Sequence, residues 1–279
     1  MTSKPKSLFD EVFANSWWSE QRNFPPCDDW KDDIEKHLNF MQCKGWLKSI
    51  RPQLQSRNYE SFLSEIYAAY FVEVNLGFEV TSWNPKTKEA RDVEFCVQDK
   101  AGSEIFCEVK SPGWQGQLTK EEIYSGRAKR PKHSTFGETR GTTPYMKIRK
   151  TLDKSYKKFI SNKQNLLIIT DNLFKPPSFG PRMNPELGRK IPWDIYIALY
   201  NYHDELYSGK GCFRTKEYEN LGGILFLNDR FLGKFFAWFE TNPNANMPLN
   251  EEFVSEALKL NEQRIKLSER DYIKHDGTD

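Results

Sequence analysis

Glu108, Val109 and Lys110 form an E-x-K triplet, a carboxylate and an ammonium two residues apart. On a strand that spacing sends both charged side chains to one face and leaves Ile105, Cys107 and Val109 on the other. Residues 103–110 alternate in this way, and so do residues 92–97. Asp99, Lys100, Ala101 and Gly102 between them have turn chemistry, so the two stretches read as arms of one hairpin. With the turn centred near Lys100 and Ala101, Asp92 falls beside Glu108 and Val109 on the opposing arm. A further carboxylate, Glu65, shares a helical stripe with Phe62, Ala69, Val72 and Leu76, where it must be buried, paired or aimed at a cation. Glu73 is its rival on the same helix. Carboxylate oxygens suit Mg²⁺, a hard cation that keeps waters and gains ligands from a substrate phosphate. Such a metal polarises the scissile phosphate and lowers the pKa of a bound water. An ammonium two residues from a ligand orients that water or stabilises the growing negative charge. The competing reading is that Asp92, Glu94, Glu108 and Lys110 form the solvent face of a charged hairpin, and spacing alone leaves both readings open.

The elements that must position these groups are legible in outline. Residues 29–47 have a helical look, within an N-terminal helical extension over 1–57. Residues 59–76 form a helix that Gly77 ends, because glycine accepts positive φ at no steric cost. Residues 78–83 read as a strand, followed by turn-like Asn84 and Pro85. Residues 145–160 form an amphipathic helix with Ile148, Leu152, Tyr156 and Phe159 inward and its lysines outward. Residues 166–170 are a continuous apolar run that fits a strand buried on both faces. Residues 176–192 read as a Pro- and Gly-rich loop, 193–207 lean helical, 222–227 are another buried strand, and 231–238 are its expected partner. Asn250 caps a last helix to about 267, with Glu251 and Glu252 at its positive end. This order implies an α/β sandwich with a mixed sheet. A core over 58–230 and a C-terminal segment over 231–279 packed on it complete the expected division.

The 279 residues carry 41 basic and 39 acidic side chains, a formal charge of +2. The sum hides an uneven distribution. Residues 120–158 hold twelve basic residues against four acidic ones, a density that attracts phosphate backbones by counterion release. Lys129, Arg130, Lys132, Arg140, Lys147, Lys150 and Lys154 are the candidate nucleic-acid contacts, and residues 114–144, with little periodicity, read as a loop or lid. The alternative for this segment is a solvated insertion without a partner. Eight Trp, twelve Tyr and twenty Phe exclude disorder throughout. The absence of a long apolar run excludes a membrane helix, and 1–13 lack the apolar core of a secretory signal. Five scattered cysteines with no C-x-x-C pair read as reduced thiols, so a cytoplasmic location is expected.

Taken in order, E-I-Y-A-A from Glu65, G-F-E-V at 77–80, R-D-V-E-F at 91–95 and C-E-V-K at 107–110 resemble the PD-(D/E)xK nuclease superfamily. Its pattern is a helix glutamate, an aspartate opening one strand, and E-x-K on the next. The following lysine-rich helix and the strand at 166–170 resemble the remaining core, so the resemblance covers about 58–170 and more loosely extends to 228. The proline that usually precedes the aspartate is Arg91 here. The resemblance implies a restriction-endonuclease-like α/β/α core with a mixed central sheet. It also implies that Asp92, Glu108 and the Val109 carbonyl bind Mg²⁺, for which Mn²⁺ can substitute. Lys110 would position or activate the attacking water, and Glu65 would bind a second metal or orient the first set of ligands.

Other chemistries have little support. There is no Walker A sequence, no G-x-S-x-G, and no metal-ligand spacing among His37, His133, His203 and His275. Trp17 and Trp18 suit packing of the N-terminal helices better than base stacking. The expected function is a Mg²⁺-dependent nuclease acting on DNA, an endonuclease of a restriction, defence, repair or recombination system. An RNA substrate, or a non-catalytic nucleic-acid-binding or assembly subunit, are the alternatives. A homodimer or a partner protein is a further expectation, because double-strand cleavage by this fold often needs two sites.

Overall fold

Alternating strands and one-sided helices build a three-layer α/β/α arrangement in the computed structural model. It describes residues 7–13, 28–56, 59–85, 93–111, 144–170, 182–184, 187–200, 211–227 and 237–275. The strands are β1 (Glu79–Trp83), β2 (Phe95–Gln98), β3 (Glu104–Lys110), β4 (Gln164–Thr170), β5 (Arg182–Asn184), β6 (Arg189–Ile191), β7 (Gly223–Leu227) and β8 (Ala237–Thr241). Six of them form one sheet in the order β1-β2-β3-β4-β7-β8, and β5 and β6 form a separate hairpin. The β1-β2-β3 meander is antiparallel, β3-β4 and β4-β7 are parallel, and β8 closes the sheet antiparallel to β7. Such a mixed sheet is consistent with an α/β nuclease-like fold.

Seven α-helices lie among the described residues: α1 (Leu8–Phe13), α2 (Asp28–Cys43), α3 (Leu47–Leu54), α4 (Tyr59–Tyr70), α5 (Pro144–Tyr156), α6 (Trp193–Leu199) and α7 (Glu251–His275). Helix α4 runs on as a π-helical turn over Phe71–Asn75 before Gly77, at φ +79°, ends it. Period-2 alternation along the strands splits the core in two. Val97, Ile105, Cys107, Val109, Leu166, Ile168 and Phe239 meet α4 and α7 on one face. Leu167, Ile169, Ile224, Phe226 and Trp238 meet α5 and α6 on the other. Strand β4 is therefore buried on both faces, as its unbroken apolar run predicts. The first three helices pack against Tyr59 and Ile66 of α4, and Glu35 of α2 accepts the Leu8 and Phe9 amides at 2.8 and 2.6 Å to cap α1.

Several boundaries depart from the sequence reading. The helix expected over 29–47 breaks at Gly45, φ +77°, into α2 and α3. The expected loop at 176–192 contains the β5-β6 hairpin, whose turn reverses through Gly188 at φ +61°. Helix α6 ends at Leu199, and 201–210 lie outside the described residues. The partner of β7 is Ala237–Thr241, later than 231–238, with 231–236 also outside. Asn250 does cap α7, its Oδ1 accepting the Phe253 amide at 2.7 Å, but the helix continues to His275.

Candidate active site

The hairpin register decides which carboxylate faces Glu108. Asp99 closes the loop between β2 and β3: its backbone N–H donates to the Ser103 carbonyl at 3.1 Å, and its Oδ1 accepts the Ser103 amide at 2.7 Å. Gly102 takes φ +85° in the same loop. The strands consequently pair Phe95 with Cys107 and Gln98 with Glu104. One further step along that register sets Glu94 level with Glu108, whereas a turn centred between Lys100 and Ala101 sets Asp92 opposite Val109, beside Glu108. Asp92 lies outside the described residues.

Glu94 and Glu108 are not a solvent face. Glu108 is 0% exposed and Glu94 9%. Removing two carboxylates from water is tolerated only with compensating partners, and here these are two ammonium groups and one amide. Lys110 contacts Glu108 Oε1, lies 3.4 Å from Glu94 Oε1, and donates to the Val109 carbonyl at 3.0 Å. Lys158 lies 2.9 and 3.1 Å from the two oxygens of Glu108 and 3.4 Å from Glu94 Oε1. The Val109 N–H donates to Glu94 Oε2 at 3.1 Å. Glu108 and Lys110 thus share a sheet face, with Cys107 and Val109 in the core on the other.

Burial is the largest influence on each group's protonation. It pushes Glu108 up to about 8, with the hydrogen bond and charge of Glu94 acting in the same direction and Lys110 against it. For Glu94 burial also acts upward, but the hydrogen bond with Glu108, the ammoniums of Lys110 and Lys158 and the Val109 N–H outweigh it and hold the carboxyl below its ordinary value. Of the two carboxyl groups, Glu108 is the one that holds a proton more readily. Burial opposes the charge of Lys158, yet Glu94 and Glu108 raise its pKa above the ordinary value. Glu65, half-buried on α4, is raised to about 7 by burial and by Glu94, against Lys110 and Lys158. It lies within the electrostatic reach of the cluster.

Two members of this cluster were not candidates from sequence. Glu94 is separated from Asp92 by one residue on the same arm, and only the register distinguishes them. Lys158 was expected outward on a helix running to residue 160. Helix α5 ends at Tyr156, and Lys158 enters from the following turn, its N–H bonded to the Ser155 carbonyl at 2.9 Å. Glu73 goes elsewhere: it pairs with Lys44 at 2.8 Å and accepts the Val80 amide at 2.8 Å, joining α2 to β1.

Of the candidate nucleic-acid contacts, Lys147, Lys150 and Lys154 share one stripe of α5 at i, i+3 and i+7; Lys150 and Lys154 are exposed and Lys147 half-buried. Lys129, Arg130, Lys132 and Arg140 lie outside the described residues. Among the described residues, no three His, Cys, Asp or Glu side chains converge closely enough to hold a metal ion. The hydrogen-bonded pair Glu94 and Glu108 nevertheless offers adjoining hard oxygens. That donor set suits a small divalent cation whose remaining ligands are water and substrate oxygens. The residues fit such an ion as a two-carboxylate site, with Glu65 beyond its contact shell. No described helix is long and apolar enough to cross a membrane.

No protein-family model matches the chain. No curated protein matches it either. Among solved structures it is similar to Pyrococcus furiosus SfsA in complex with Ca²⁺, at 13% identity and a TM-score of 0.28 over 67% of this chain. The chain spans 65% of the length of that structure, and the likeness is too distant to bear on the site.

Proposed function

We propose that this chain is a metal-dependent nuclease of the PD-(D/E)xK type that hydrolyses phosphodiester bonds of DNA, as an endonuclease of a restriction, defence, repair or recombination system. The observation that carries the reading is the E-x-K carboxylate itself. Glu108 is wholly buried, yet it is paired with a second carboxylate and touched by the lysine two residues on. Placing two acids side by side, shielded from water, costs stability. Glu94 and Glu108, with Asp92 proposed from the sequence pattern, would hold Mg²⁺ or Mn²⁺. The metal's contribution would be to polarise the phosphate and acidify a bound water. Lys110, tethered to Glu108 and the Val109 carbonyl, supplies an ammonium that orients the attacking water or answers charge growing on phosphorus-bound oxygen. The water oxygen bonds to phosphorus as one ester P–O bond breaks. The exposed lysines of α5 and the basic residues at 127–140 would hold the backbone, and two copies would come together for double-strand cutting.

Plasmid cleavage with Mg²⁺ or Mn²⁺ tests this, with RNA offered in parallel. The wild type is expected to cut, and Asp92→Ala, Glu108→Gln and Lys110→Met to lose that activity. Equal activity in all four, or none on either polymer, would refute it. A non-catalytic nucleic-acid-binding or assembly role is the second reading, favoured by the bonding of the cluster: Lys110, Lys158 and the Val109 N–H already answer the two acids without a metal. DNA retention without cleavage by the wild type would select it.

A further inference from the structure

Lys158 differs from Lys110 in what holds it. The Lys110 ammonium has an anchor besides the acids, the Val109 carbonyl at 3.0 Å. Among the described residues the Lys158 ammonium contacts only Glu94 and Glu108, and it bridges the two. It therefore occupies the place of a bridging cation. Its side chain is 38% exposed whereas the Glu108 side chain is 0% exposed, so the ammonium has water to move into and the carboxylate has not. It also stands beyond the last residue of α5, on a four-carbon stem with freedom to re-aim. A divalent cation and an ammonium cannot share the same oxygens without close like-charge repulsion. Of the two ammoniums on these oxygens, Lys158 is the more exposed, 38% against 30%, and lacks the tether to the Val109 carbonyl, so it is the one placed to yield.

We propose that Lys158 is the internal counter-ion of the Glu94–Glu108 pair, and that a divalent cation binds there by displacing its ammonium. This rests on the functional reading above, because it takes the pair as the metal site. It makes Lys158 a positioning residue: it keeps the two buried acids together and solvent-shielded until metal arrives, at the cost of weakening the metal's hold.

Mn²⁺ alone, titrated calorimetrically into the full chain, tests it. Lys158→Met is expected to bind Mn²⁺ at least about tenfold more tightly than the wild type, since a competing unit charge about 3 Å from the ligands is gone. Lys158→Arg, which keeps that charge, should stay near the wild type. Lys163→Met is the control for general charge: this exposed lysine lies over Phe106 on the same sheet face, 5.5 Å from the ring centroid, and its removal should change the affinity less than about twofold. Glu108→Gln should abolish binding. Mn²⁺ binding that needs Glu108 but is equal in wild type and Lys158→Met overturns this proposal and leaves the metal site standing. Equal tightening by Lys163→Met also overturns it. No binding by any folded variant overturns both. Thermal unfolding of each variant identifies the folded ones, and if Lys158→Met is unfolded, Lys158→Gln takes its place with the same expected tightening.

Discussion

The raised pKa of Glu108 makes a prediction with a definite sign. Glu108 is raised from 4.5 to about 8 in the folded chain. Between those two values the native state binds a proton that the unfolded state has released, so this group's stabilisation is complete below about 4.5 and is lost as the pH rises toward 8. At about 1.4 kcal/mol per unit the whole span sets a ceiling of about 5 kcal/mol. Local relaxation and the two ammonium contacts reduce it to about 2–3 kcal/mol. Glu108→Gln removes the titration while keeping the shape and an N–H donor toward Glu94. Glu65 is raised to about 7 and contributes a slope in the same window, so the informative quantity is the difference between wild type and variant. Thermal unfolding from pH 5 to pH 9 measures it. Near pH 5 the two chains should melt within a degree or two of each other. By pH 9 the glutamine chain should melt higher by about 5–10 °C, taking about 2–4 °C per kcal/mol for a chain of this size. Parallel curves would show that Glu108 does not titrate in this window. A glutamine chain less stable at pH 9 would show that the ammonium groups, not burial, govern the carboxylate, and the reasoning about the pair would fall.

Other perturbations reach different parts of the molecule. The free edge of β8 is closed by Asn261 of α7, whose Oδ1 accepts the Phe239 N–H at 2.8 Å and whose Nδ2 donates to the Phe239 carbonyl at 2.7 Å. Asn261→Ala should cost about 2–4 kcal/mol in urea unfolding and promote edge-to-edge association visible by light scattering. Asn165 is fully buried and donates to the carbonyls of Ile160, Lys163 and Asn220 at 2.8, 2.9 and 2.7 Å. Asn165→Leu should cost more than about 3 kcal/mol by the same assay, because three carbonyls lose their donor together. Gly77→Ala meets no neighbouring atom within 4 Å but keeps φ +79°, so it should cost only the backbone strain, about 1 kcal/mol. If plasmid cleavage is detected, Lys110→Met should lower its rate by about 10²-fold or more under saturating Mg²⁺.

The sheet was legible because its strands carry strong local signals. Residues 166–170 are apolar, and β4 is buried on both faces; residues 103–110 alternate in type, but β3 is buried from Ile105 through Val109, because Phe106 and the ion-paired Glu108 are covered on its second face. Helix α4 was legible in extent, and Gly77 marks its end in chain and structure alike. What failed was punctuation of weak segments. The β5-β6 hairpin hides among prolines and glycines because each strand is only three residues long. The division of 29–47 into α2 and α3 turns on one positive φ at Gly45, and apolar periodicity carries no sign of it. The last helix outruns its apolar stripe because the sequence beyond 267 is mostly polar and so leaves little periodic trace.

Within the site, the E-x-K triplet shows in the sequence because period 2 puts Glu108 and Lys110 on one face wherever the strand lies. Glu94 depends on something longer-ranged. Its place opposite Glu108 is set by the Asp99 loop, and moving the turn centre by one residue changes which acid stands there. Lys158 is harder still, since helical spacing turns it outward and only the end of α5 at Tyr156 lets the following turn bring it in. Charge counting offers no help. Two acids and two lysines cancel in a count, just as 41 basic and 39 acidic residues nearly cancel over the chain. Cancellation in a sum and cancellation in space are different facts. In the first the charges are strangers dispersed in water. In the second the acids are out of water and the lysines answer them at about 3 Å, and any cation that enters must break that arrangement before it can bind.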